Sequence, residues 1–193
     1  HLLRSIAIMG ANGAGKSSLI KAMDFLQQFV AGSAQSTQRG DKIPVSPFKL
    51  DETLQDQPSS FSIVFFFDGV EYHYSFSVNK TEVVSECLLS RNKSSSLKEV
   101  FSRSKSDGEE VWNLGFLPKA QSKLWRKSTR ENALFLSTAV QLNSEELAKP
   151  FEWITKFLRL QTTDDEFFPS LTSHLIKYHV SDGCKAAILD LLQ

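Results

Sequence analysis

Only two of the 193 residues are cysteine and two are methionine, acidic and basic side chains number 22 each, and no apolar run approaches the length of a membrane span. Cys87 and Cys184 form no C-x-x-C pair and have no metal-ligand spacing, so both read as packing residues, and a reducing compartment fits. Crossing a bilayer takes roughly 18 consecutive apolar residues. No charged head with an apolar signal region opens the chain either, so the expected location is the cytoplasm, with no membrane partner. Zero formal charge removes any overall field that would draw the molecule to nucleic acid. The balance is uneven along the chain, with ten basic and four acidic side chains between residues 91 and 130.

What the chain does have is glycine where a phosphate needs it. Residues Gly10 to Ser17 read GANGAGKS, a full G-x-x-x-x-G-K-[ST] pattern. It lies between the apolar run SIAIM at 5–9, expected as a strand, and helical spacing from Lys16 to Val30. Gly10, Gly13 and Gly15 let the backbone turn through positive φ so that successive amides point at one anion, and Asn12 tolerates the same region. Ala11 and Ala14 complete the loop. The following helix adds unpaired N–H groups and the positive end of its dipole. Lys16 then reaches the β- and γ-phosphates and the Ser17 hydroxyl ligates Mg2+, while Ser18 either supports the phosphate or bonds back to the preceding turn. The expected ligand is a nucleoside triphosphate. Leu19, Ile20, Ala22, Met23, Leu26 and Val30 give the helix one apolar face.

Residues 31–60 are rich in Gly, Ser, Gln and Pro and read as a long loop or insertion. Residues 61–91 then alternate between apolar and polar around the pairs Asp68-Gly69 and Asn79-Lys80, which predicts a three-stranded antiparallel meander. Its buried face would carry Phe61, Ile63, Phe65 and Phe67 with Tyr72, Tyr74, Phe76 and Val78. A further hairpin is expected through Val100 and Trp112, turning at Ser106 to Gly108. A basic helix should open at Pro118 and carry Lys119, Lys123, Arg126, Lys127 and Arg130. The run ALFLSTAV reads as a strand that ends near Gln141, and Asn143 or Ser144 caps a helix through Leu147, Phe151, Ile154 and Leu158. Two more helical stretches are expected at about 170–179 and 182–193. An ATP-binding lobe over 1–142 and the start of a helical lobe over 143–193 follow.

Guanine recognition usually needs N-K-x-D, and the nearest match, Asn79, Lys80, Thr81 and Glu82, lacks the aspartate and falls at a hairpin turn. A small-molecule kinase would follow the loop with alternating helices and parallel strands. The order of strand, loop, helix, insertion and meander resembles ABC-type ATPases of the SMC and RecF kind. It resembles more closely the AAA family of ATP-binding proteins, related to the OLD nucleases, of bacterial abortive-infection and phage-defence loci. The strings that carry the resemblance are IAIMGANGAGKSSLIKAMDFL at 6–26, IPVSPFKLDE at 43–52, PSSFSIVFFFDGVEYHYSFSV at 58–78 and TRENALFLSTAVQLN at 129–143. It implies an α/β P-loop fold of the ABC-ATPase kind with an antiparallel meander and a C-terminal helical segment. It also implies Mg2+-dependent ATP hydrolysis by head domains that pair around two nucleotides, and an effector nuclease or toxin as partner. About one strand pair is implied before His1.

Such enzymes need a Walker B strand ending in Asp-Glu and a signature loop. IVFFFD at 63–68 is followed by Gly69 and reads as a hairpin turn, and Leu50, Asp51 and Glu52 read as a surface loop, so both motifs are expected beyond residue 193. This piece should therefore bind ATP better than it cleaves it. The resemblance makes Gln141 a second catalytic candidate beside Lys16, as a Mg2+ and water contact at the end of a strand; the other reading is a polar residue before a capped helix. The basic segment at 119–130 and the cations around 91–105 are either a DNA-contacting surface or a solvated face. A RecF- or SMC-like repair or chromosome-maintenance ATPase and a non-hydrolysing, nucleotide-gated scaffold are the alternative functions. His73, His174 and His179 form no ligand set, and no metal other than Mg2+ is expected.

Overall fold

The computed structural model describes residues 6–47, 57–92, 95–106 and 108–160. The elements described below lie in one compact unit that ends at Leu158. Helix α1 spans Lys16–Gly32 and is followed, after the insertion, by five strands: β1 (Ser59–Phe67), β2 (Val70–Val78), β3 (Val83–Asn92), β4 (Lys98–Ser106) and β5 (Glu109–Asn113). They form one antiparallel sheet in the order β1-β2-β3-β4-β5. The expected meander and the further hairpin are both present. Asp68 (φ 49°) and Gly69 (φ 82°) make the two-residue β1–β2 turn with both residues left-handed, as a tight hairpin with native twist requires. The β2–β3 loop is longer and is closed by the Asn79 carboxamide, which accepts from the amides of Thr81 and Glu82 and from the Thr81 hydroxyl.

Period-two alternation puts Phe65, Tyr72, Tyr74, Phe76 and Val78 in the core, with Phe61, Ile63 and Phe67 packed against it. Burying a large apolar side chain of this kind contributes about 1.5–3 kcal/mol. Helix α1 lies on this face, Phe25 against Phe61 and Phe29 against Phe76. Of its apolar positions Leu26, Phe29 and Val30 are buried, whereas Leu19 is exposed. Farther along the chain come α2 (Lys119–Ser128), α3 (Phe135–Gln141), α4 (Glu145–Glu152) and a π-helical turn at Trp153–Phe157, whose Trp153 stacks on Phe65 at 4.1 Å between ring centroids. Ser144, not Asn143, caps α4 by accepting from the Leu147 amide, with Glu145 and Glu146 in the first turn.

Two expected strands are corrected. Residues 6–9 form no strand among the described residues, and Ile6 and Met9 are 73% and 88% exposed. A strand needs a neighbour for its ladder bonds, and the antiparallel sheet places none beside them. ALFLSTAV is helix α3 and its N-terminal approach, so Gln141 ends a helix and not a strand. A short buried apolar run does not distinguish strand from helix by its own pattern. Here the helix is started from outside: Glu86 of β3 accepts the amides of Phe135 (2.7 Å) and Leu136 (2.9 Å). The acidic pair Asp51-Glu52 and the helices expected at 170–179 and 182–193 lie outside the described residues.

Candidate functional site: the glycine loop and its helix

The loop meets α1 through glycines in the conformation that only glycine adopts cheaply. Gly13 (φ 81°) and Gly15 (φ 84°) are left-handed, and Gly15 is the N-cap of α1. A Cβ at either would meet nothing within 4 Å, so the demand is for backbone dihedral and not for space. Gly10, at φ 158°, is nearly extended, and Asn12 does not use left-handed backbone. The Ala14 amide bonds to Ala11 O at 3.3 Å, which closes the turn.

Lys16 folds back over this turn. Its Nζ donates to Gly10 O at 2.6 Å and to Ala11 O at 2.7 Å. An ammonium has three N–H donors, so one is left for an incoming oxygen. The first intrahelical bond of α1 runs from Leu19 N to Gly15 O, and no side chain caps the helix, so the amides of Lys16, Ser17 and Ser18 have no backbone partner among the described residues. Residues 10–15, Ser17 and Ser18 are exposed. Amides at a helix N-terminus, a lysine with a spare donor and a free hydroxyl make a donor set that suits the triphosphate of ATP with Mg2+.

The far end of α1 is anchored by residues that sequence reasoning missed in this role. Arg130, expected in the basic helix, lies beyond α2 and donates through Nη2 to Ser33 O, Ala34 O and Thr37 O at 2.9–3.2 Å, a cation on the negative end of the helix. Ser137 Oγ donates to Val30 O, the Leu134 amide to Ser33 Oγ, and Gln27 Nε2 to Ile154 O and Leu158 O. A basic residue following a helical run is a faint signal, since its target lies almost a hundred residues away.

The structure gathers residues 10–18 in one place and does not add Gln141 to them. Helix α3 touches α1 near Val30 and Ser33, and Val30 is about 21 Å along the helix from Lys16 at 1.5 Å per residue. Gln141 is exposed, only four residues past Ser137. The other motif-like strings are accounted for by turns. Asp68 sits in the hairpin and pairs with Lys149, and the Asn79 amide oxygen is consumed by its own loop while Glu82 pairs with Lys105. No group of His, Cys, Asp and Glu fit to hold a metal occurs among the described residues. His73 instead bonds Glu71, and this contact, with Arg91, holds the Glu71 carboxyl below its ordinary range. No helix of the described residues is long and apolar enough to cross a membrane.

None of the curated proteins and none of the solved structures matches the chain. A family model described as "AAA domain, putative AbiEii toxin, Type IV TA system" matches residues 5–176, which takes in the glycine loop, all five strands and α1 to α4. The family model covers most of the chain, and the chain belongs to this family of AAA-type, ATPase-like domains.

Proposed function

We propose that the chain binds ATP with Mg2+ at residues 10–18 and that its nucleotide state governs an effector in a bacterial defence or toxin setting through pairing of two such domains. The observation that carries the reading is the loop itself, with left-handed Gly13 and Gly15, Lys16 bridging two loop carbonyls and unpaired amides at the start of α1. Lys16 keeps the loop folded with two N–H groups and gives the third to a phosphate oxygen. The amides of Lys16, Ser17 and Ser18 bind the same anion along the helix axis, and the Ser17 hydroxyl holds the metal. Mg2+ supplies charge neutralisation on the phosphates when bound. ATP is preferred over GTP in this reading, because the one N-K-x-D-like string is a β-hairpin loop.

Binding outruns hydrolysis in this reading. The aspartate that follows the apolar strand β1 is a hairpin residue paired with Lys149, and no hydrogen bond of the described residues brings a carboxylate or Gln141 to the loop. Family membership supports the toxin and abortive-infection setting. Calorimetry with Mg-ATP tests the proposal. Lys16→Ala should weaken binding roughly ten- to a hundredfold, the worth of one charge-assisted hydrogen bond at about 1.5–3 kcal/mol, with an unchanged circular dichroism spectrum. Gln141→Ala should bind as the parent does. Equal heats from the parent and Lys16→Ala would remove the basis of the reading.

A further inference from the structure

We infer that the surface formed by Phe116 and the outward side of α2 binds single-stranded nucleic acid. Phe116 is 79% exposed, yet the turn that carries it is tightly held. Gly115 has φ 48°, and a Cβ there would meet Val100 O at 2.3 Å and Glu99 O at 2.7 Å, so the turn lies directly on β4 and only glycine fits. The Gly115 amide bonds Asn113 Oδ1 at 3.0 Å, the Leu117 amide bonds Leu114 O at 3.0 Å, and Leu117 is buried. The backbone is fixed and an aromatic ring is presented to solvent. Lys98 Nζ sits 5.6 Å from the centre of that ring.

Three residues after Phe116, α2 begins. It contains four basic residues and no acidic one, and it buries Ser122 and Trp125. Spacing of four sets Lys119, Lys123 and Lys127 in one exposed row, about 6 Å apart on the helix axis. Lys98, Lys119, Lys123, Arg126 and Lys127 enter no ion pair among the described residues, whereas Lys105, Lys149 and Lys156 are each paired with a carboxylate. Arg126 lies 5.4 Å from the Trp112 ring. Glu110 and Glu131 border the strip at one margin, and the Glu110 carboxylate is engaged by Trp112 Nε1. A row of unpaired cations beginning beside an exposed, rigidly mounted ring is what a phosphate backbone with free bases requires: the cations follow the phosphates and the ring stacks on a base. A duplex hides the faces of its bases, so the ring favours a single strand, with little preference for sequence.

Fluorescence anisotropy of the chain with labelled oligothymidylate, with its duplex and across a salt series tests this. Affinity for the single strand should fall with salt at a log–log slope of about −0.7 per phosphate contacted. Phe116→Leu should weaken single-strand binding about tenfold, Phe116→Tyr should retain it because the π-face is kept, and neither should change duplex binding. Reversing Lys119, Lys123 and Lys127 to Glu should abolish binding of both forms. Lys16→Ala should bind the oligonucleotide as the parent does, which separates this surface from the nucleotide loop. No saturable binding at low salt, a Phe116→Leu chain indistinguishable from the parent, or displacement by polyglutamate as effective as by oligothymidylate would overturn the assignment, the last in favour of an acidic protein partner.

Discussion

Glu86 is the residue on which several parts of the molecule converge. It is wholly buried on β3, and its oxygens accept from the Tyr74 hydroxyl at 3.0 Å, Arg103 Nε at 3.0 Å and the amides of Phe135 and Leu136. Arg103, its cross-strand partner, is buried too and donates to Ala133 O. A buried charge pair is weak evidence of net stabilisation, but removing one partner strands the other. Glu86→Gln should therefore cost roughly 3–5 kcal/mol in urea denaturation, because the amide offers donors where Arg103 and two backbone amides need acceptors. Tyr74 adds a pH dependence. Burial first, and then the negative charge of Glu86, pushes its phenol well above the ordinary tyrosine value, and burial raises Tyr72 as well. In the unfolded chain a tyrosine gives up its proton near pH 10, while the folded chain keeps it. The unfolded state thus binds fewer protons in alkali, and stability that is complete below about pH 10 falls as the pH rises further. Urea midpoints followed into alkali should show this decline, and Tyr74→Phe should make it shallower.

Among the elements, α1 is held at both ends by opposite chemistry, with amides and Lys16 at the loop and Arg130 on the carbonyls of Ser33, Ala34 and Thr37 just past its C-terminus. Arg130→Ala should lower stability by roughly 1.5–3 kcal/mol, the range for hydrogen bonds to a charged group. Arg130→Lys should recover part of that, as a point charge without the guanidinium fork. Chemical denaturation of the three proteins compares them directly. The elements differ in how far they could be read beforehand. The β1–β2 hairpin was legible because the Asp-Gly pair and the alternation of FSIVFFF and VEYHYSFSV are local, and α4 was legible because its capping serine and acidic first turn adjoin it. Helix α3 was not, since its cap is a carboxylate 49 residues upstream. The role of Arg130 was hidden for the same reason.

At the scale of the whole molecule, one face of the five-stranded sheet is covered by α1, by α3 through Phe135 on Phe101, and by the π-helical turn through Trp153 on Phe65. The glycine loop opens the helix that lies on this face, so the nucleotide binding proposed for it should register as global stability. At a hundred times its dissociation constant a ligand adds about 2.7 kcal/mol. A domain of this size gains about 2–4 °C per kcal/mol, so Mg-ATP at that concentration should raise the melting temperature by about 5–10 °C, and the weaker binding of Lys16→Ala should cut the rise to about half or less at the same concentration. Scanning calorimetry decides it. From the order of residues alone came the glycine turn, the helix behind it, the strand alternation and the turns between strands, because each depends on dihedral preferences and side-chain periodicity within a few residues. Tertiary structure alone decided that ALFLSTAV is helical, that residues 6–9 make no strand among those described, that Gln141 stands apart from the loop and that Phe116 points outward beside a row of unpaired lysines. Each of these depends on which distant group arrives to satisfy a backbone amide, cover an apolar face or leave a charge unpaired, and a one-dimensional pattern holds no record of distance.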